Sequence, residues 1–229
     1  MISASLGAEE MKFTLVYDGR LDSQNSGDIF NKRWEIRQYL APQLEELWRV
    51  YPGLEKLNPY VPRDATYLTT QSHHSTELDP RMSEQKAAQA AAEPEKWINV
   101  FEPIDVRGIR FLPLIRETLA LSCSLKIIFM RKERPGRIYT GDLDNRIKTF
   151  LDSLKVPKSE ADCVANVYPK PTEPIRCLVE DDSLITGLNV ETTRLLSSDG
   201  GEKNYVRLVV EVLVHVMYPR TYNELFLGD

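Results

Sequence analysis

Asn204-Tyr-Val-Arg-Leu-Val-Val-Glu-Val-Leu-Val-His-Val216 alternates without a break: Val206, Leu208, Val210, Val212, Val214 and Val216 share one side, while Val209 and Leu213 lie on the other. A period of two over this length reads as a β-strand, and apolar residues on both sides make it partly buried on both. His215 then points to the second face as a packing residue. Further strands follow from the same pattern. Ser124–Met130 has Leu125, Ile127 and Phe129 alternating with Ser124 and Lys126, Phe13–Tyr17 is a short β-prone run ended by the turn signal Asp18-Gly19, and another strand is expected from about Leu184 to Thr193. Ser197 to Gly201 reads as a hairpin turn by its Asp-Gly pair.

Two helices accompany these strands. Between Ile29 and Trp48, apolar residues three or four apart (Ile29, Trp34, Ile36, Leu40, Leu44, Leu47) describe an amphipathic helix, bent or restarted at Pro42. Leu143, Ile147, Leu151 and Leu154 recur at helical spacing and give a second helix with a buried stripe. The stretch 108–121 has no clear period, and the proline-bearing stretch after Leu154 reads as a loop reaching to about Val179. From Tyr51 to about Asp105 prolines at 52, 59, 62, 80, 94 and 103 interrupt every pattern, and Lys86–Ala92 is an alanine-rich run with high helix propensity and little to bury. The expected fold is α/β (α+β): a mixed β-sheet packed against helices in a single domain, 1–229, with an insertion at about 51–105.

At 229 residues, 42% hydrophobic and 28% charged, the chain has the composition of a globular protein with a real core. No apolar run approaches the roughly 18 residues of a membrane span, and the opening MISASLGAEEMKF lacks the charge pattern of a secretory signal, so a cytoplasmic location is expected. Cys123, Cys163 and Cys177 are an odd number with no CxxC pair, which argues for reduced, mostly structural thiols. His73-His74, without nearby cysteine or an i, i+4 partner, reads as exposed loop.

The net charge of −5 is unevenly spread. Residues 131–158 carry eight basic and four acidic side chains, a local +4, whereas 75–105 carry three basic and seven acidic, a local −4. Such asymmetry points to a localised face for a charged partner. Inside the basic segment lies Gly141-Asp-Leu-Asp-Asn-Arg-Ile-Lys148. One aspartate can cap a helix, contributing roughly 0.5 to 2 kcal/mol. Two separated by one leucine cannot both do so, and they repel each other. With Asp142 ahead of the helix and Asp144 in its first turn, both carboxylates project near its mouth, where a cation relieves the repulsion. Lys148, four residues beyond Asp144, shares its face away from the leucine stripe and forms either a surface salt bridge or a cation beside a metal. Asp181-Asp182, just before an expected strand, is a second short acidic cluster. Hard oxygen ligands without histidine or cysteine suit magnesium or manganese, ions that hydrolyse phosphodiesters.

The run Gly141-Asp142-Leu143-Asp144-Asn145, then Lys148, then Asp152-Ser153-Leu154, then Asp181-Asp182 before an apolar strand, resembles the RusA family of Holliday junction resolvases. The likeness covers about two thirds of the chain. It implies a homodimeric, structure-specific endonuclease that cleaves four-way DNA junctions with Mg²⁺ (or Mn²⁺), in DNA recombination and repair. Asp142, Asp144 and Asp182 would be catalytic metal ligands, Lys148 the catalytic cation, and Arg131, Lys132, Arg134 and Arg137 would hold the DNA backbone. Two other readings stand beside it: a non-catalytic protein that keeps the fold and binds DNA as a scaffold, and a nuclease for other branched DNA.

Overall fold

In a computed structural model the chain runs β1 (Lys12–Arg20), α1 (Ile29–Val50), β2 (Tyr60–Pro62), α2 (Pro80–Ala92), β3 (Trp97–Asn99), β4 (Ile104–Val106), β5 (Ile109–Ile115), β6 (Leu121–Arg131), α3 (Thr140–Leu154), β7 (Ile175–Val179), β8 (Ile185–Arg194) and β9 (Tyr205–Val216). Short 3-10 turns at Glu117–Leu119 and Asp182–Leu184 precede β6 and β8. The structure describes residues 11–21, 29–51, 54, 60–62, 80–132, 140–158, 172–196, 204–220, 223 and 226.

A four-stranded sheet in the order β1-β9-β6-β8 forms the main layer. Its β1–β9 and β9–β6 pairs are antiparallel and its β6–β8 pair is parallel, so the sheet is mixed. The sidedness expected of the last strand holds: Val206, Leu208, Val210, Val212 and Val214 are fully buried, while Val209 and Leu213 on the other side are half-buried. Leu15 and Tyr17 of β1, Leu125, Ile127 and Phe129 of β6, and the buried valines of β9 form one core with Ile36, Leu40 and Leu44 of α1 and Ile147, Phe150 and Leu154 of α3. The opposite face carries the pairs Lys12–Glu211 and Lys126–Glu191, both solvent-exposed, and His215 Nε2 lies 3.0 Å from Ser124 Oγ.

A second sheet, β4-β5-β7, was not foreseen. Strand β5 (IRFLPLI) buries residues of both parities, so no alternation marks it, and β7 falls inside the stretch expected to be loop. The sheets are joined by two parallel chain segments. β5 passes into β6 and, alongside it, β7 passes into β8, with β5–β7 and β6–β8 both parallel. Trp34 of α1 packs on Phe111, Ile175 and Cys177 of this second sheet, so α1 contributes to both cores.

Other boundaries shift for physical reasons. Asp18-Gly19 does not end β1, because cross-strand bonding to Arg207 and Val206 continues through it to Arg20. Pro42 sits inside an uninterrupted α1. The strands flanking Ser197–Gly201 are not hairpin partners: β6 lies between β8 and β9 and pairs with both, although the turn itself falls outside the described residues, as do His73, His74 and Cys163. Of the proposed insertion the described elements are β2, α2, β3 and the start of β4; Leu54 and Val100 join the main core, while α2, with the alanine run, buries Ala90 and leaves most of its other described side chains exposed. Among the described residues no helix is long and apolar enough to cross a membrane.

Cys123 and Cys177 are buried free thiols, and burial pushes each up to about 12. Since the thiolate is the reactive form, neither is expected to react with iodoacetamide in the native chain at pH 8, and both should label once urea unfolds it. Peptide mass mapping reads this directly; native labelling at either position would contradict the packing.

Candidate metal centre

Helix α3 is held by its apolar side. Ile147, Phe150 and Leu154 are buried in the main core, Leu143 and Leu151 pack against it, and Phe150 meets Tyr17 with ring centroids 6.3 Å apart. The helix starts at Thr140, so Asp142 lies inside it rather than ahead of it as a cap, and Asp144 follows one turn on from Thr140. The side chain of Asp142 is outside the described residues. Asp144 and Lys148 are both exposed, four residues apart, and no ion pair joins them among the described residues. The surface salt bridge that would have explained them is therefore not what this face uses.

Asp182 is elsewhere. Lys155, just past the end of α3, donates to Asp182 Oδ2 at 2.7 Å and lies 2.9 Å from Asp152 Oδ1. Lys158 reaches Asp181 Oδ2 at 2.5 Å and Asp182 Oδ1 at 3.5 Å. Eight residues separate Asp144 from Asp152, about 12 Å of helix axis at 1.5 Å per residue. Oxygens sharing one magnesium ion lie within roughly 4 Å of each other, given bonds of about 2.1 Å. The ion pairs thus hold Asp182 beside Asp152 at the far end of the helix, and no described contact joins it to Asp144. Two lysine ammonium groups meet the Asp181-Asp182 pair there. Among the described residues no three His, Cys, Asp or Glu side chains form a metal-sized cluster.

That far end is a clasp between α1 and α3. Arg33 Nη2 lies 2.5 Å from Asp152 Oδ2, and Arg37, buried, donates to the carbonyls of Asp152 at 2.8 Å and Lys155 at 3.3 Å. These are the carbonyls a helix leaves without partners at its C-terminus. An aspartate in a last turn opposes the helix dipole. Asp152 is stable there because two cations face it. That unfavourable placement is the signal in the sequence for this clasp.

Burial acts to lower the Lys155 pKa, but its bonds to Asp182 and Asp152 outweigh this and leave it raised. Asp181 is held well below the ordinary 3.8, first by Lys158 and then by the backbone N–H of Ser183, which its side chain caps at 2.9 Å. A depressed carboxylate contributes stability above its unfolded pKa that is lost as the pH falls toward its folded value. Because the pair is largely exposed, the contribution is under about 1 kcal/mol. Urea unfolding of Asp181→Asn is therefore expected to show a small deficit at pH 7 that shrinks below pH 3.8 and in molar salt. A deficit unchanged at pH 2 would assign it to the cap instead.

Of the basic residues expected to grip DNA, Arg131 and Lys132 are among those described. Arg131 is the last residue of β6, not a loop residue, and is 8% exposed. Lys132 stands over the Tyr205 ring, 5.6 Å from its centroid. Arg134 and Arg137 lie outside the described residues.

The chain matches no family model, and comparison with curated proteins and with solved structures finds no match. At one end of α3 are an exposed acidic side chain and an exposed lysine on a rigid helix; at the other are carboxylates already neutralised by cations. Hard carboxylate oxygen fits magnesium or manganese at the first end and is already occupied by ammonium and guanidinium groups at the second.

Proposed function

We propose that this chain is a magnesium-dependent, structure-specific DNA endonuclease of RusA-like type, acting on four-way or other branched DNA as a cytoplasmic homodimer. The observation that carries the reading is the exposed Asp144–Lys148 face on a helix anchored by its other side. Asp144, with Asp142 two residues before it, would hold Mg²⁺ or Mn²⁺, and such an ion supplies an activated water and charge stabilisation for phosphodiester hydrolysis. Lys148, one turn further, offsets charge on the phosphate as it becomes pentacovalent. Asp182 is left out of the ligand set, because Lys155 and Lys158 hold it at the other end.

That same placement favours a second reading, a DNA-binding or scaffold protein of the same fold without turnover, since two carboxylates offer an ion fewer anchors than three. Labelled four-way junction and linear duplex of matched sequence, incubated with magnesium or with EDTA, separate the two. Junction cuts that require magnesium support the nuclease. Tight junction binding with no cut under magnesium or manganese rejects it and leaves the scaffold.

A further inference from the structure

The main sheet has two edges, and they are finished differently. On β1 the side chain of Gln43, carried by α1, takes the place of a neighbouring strand at Val16: its Oε1 accepts from the Val16 N–H at 2.9 Å and its Nε2 donates to the Val16 carbonyl at 2.7 Å. That edge is closed at its middle. Strand β8, at the other edge, pairs with β6 alone among the described residues, and the side chains of its ten residues, ITGLNVETTR, are exposed or half-buried. Folds ordinarily blunt such an edge with lysine, proline or a bulge, because its outward N–H and C=O groups template another strand. No lysine or proline occurs in β8, and from Gly187 to Arg194 its register with β6 is regular. Leu188 is 49% exposed, and Leu196, just past the strand, 82%.

The strand is also complementary to itself. Turned about a two-fold axis at Val190, two copies of β8 run antiparallel with Leu188 opposite Thr192, Asn189 opposite Glu191 and Thr186 opposite Arg194. No like charges meet, and so charge-poor a stretch offers a strongly acidic or basic peptide little to recognise. Beside this edge lies the Asp144–Lys148 face. Arg146, on the opposite flank of α3, bonds to Asn204 just ahead of β9, and β9 and β8 lie on either side of β6. Asp144 and Lys148 therefore look toward the β8 side. So does Lys155, seven residues beyond Lys148, which reaches Asp182 just ahead of β8.

We propose that a second copy of this chain pairs edge to edge through β8, joining two four-stranded sheets into one continuous sheet. The inference rests on the proposed nuclease reading for its purpose, though not for its geometry. A two-fold axis normal to the sheet keeps both copies of α3 on one face. Two Asp144–Lys148 faces then flank the seam in opposite directions, an arrangement suited to cutting two strands of a symmetric junction.

Sedimentation velocity of the full chain over a range of concentrations should show the 26.3 kDa monomer in equilibrium with its dimer. Amide exchange at 185–194 should slow as the dimer forms, while exchange at 12–20 stays constant. Leu188→Lys is expected to weaken the dimer at least about tenfold, since an edge lysine opposes strand addition. Thr14→Lys, the same change at an exposed position of β1, should leave it intact. Should Leu188→Lys fail to fold, the exchange measurement on the parent still decides. A monomer at every concentration, a dimer with no slowing at 185–194, or equal weakening by both lysines would overturn the interface. A β8-paired dimer that cuts no DNA would reject the nuclease reading and keep the interface, whereas magnesium-dependent junction cutting by a chain that stays monomeric would do the reverse.

Discussion

Asp144→Asn is expected to slow magnesium-dependent cleavage of a four-way junction by about a thousandfold, equivalent to about 4 kcal/mol of transition-state stabilisation. The substitution keeps the shape of an exposed side chain on α3 and removes the charge that would hold the ion, so melting temperature and junction affinity should change little. Single-turnover cleavage at saturating protein isolates the chemical step. Asp182→Asn is the informative companion, because the resemblance to the RusA family implies a metal ligand there while its side chain pairs with Lys155 and Lys158. With Asp182 held by Lys155 and Lys158, its loss should reduce cleavage by less than about tenfold. Equal losses at both positions would mean that Asp182 leaves its lysines and reaches the ion; equal activity of parent and Asp144→Asn would remove the metal role altogether.

The largest effect on stability is expected at Asp152. Its carboxylate is buried between Arg33 at 2.5 Å and Lys155 at 2.9 Å, and Asp152→Ala leaves Arg33 without the anion it faces and Lys155 with Asp182 alone. Breaking one partner out of a buried charge cluster costs roughly 3 to 5 kcal/mol. For a chain of this size that lowers the melting temperature on the order of 10 °C. Asp152→Asn should lie between, since an amide still accepts one bond. Calorimetry or urea unfolding gives the number; a loss below about 1 kcal/mol would show the clasp to be a surface ion pair. Junction binding by the folded fraction should be unaffected, which separates this residue from the proposed metal centre despite their sharing one helix.

Strands with one covered face were legible from residues alone. In β6 and β9 the alternation of buried and half-buried positions is a local consequence of the pleat, so period two was enough to place them. Helix α3 was equally plain from its stripe. Strand β5 was not, because burial on both sides erases the period that would announce it, and β7 was hidden behind prolines. The order β1-β9-β6-β8 was also beyond local reading: Asp199-Gly200 is a good turn signal, but which strand lies beside which depends on inner-face packing across the whole sheet.

The site divides along the same line. That Asp144 and Lys148 share a face follows from 3.6 residues per turn, and that hard oxygen donors suit magnesium follows from their chemistry; neither needs coordinates. The company kept by Asp182 does need them, since Lys155 and Lys158 can claim it once β7 and β8 bring Asp181-Asp182 back to the end of α3. The burial of Arg131 and Arg146 is likewise a matter of packing, because the chain records a charge but not whether water will reach it. Periodicity and ligand type are properties of neighbours along the chain, whereas pairing and desolvation are properties of neighbours in space.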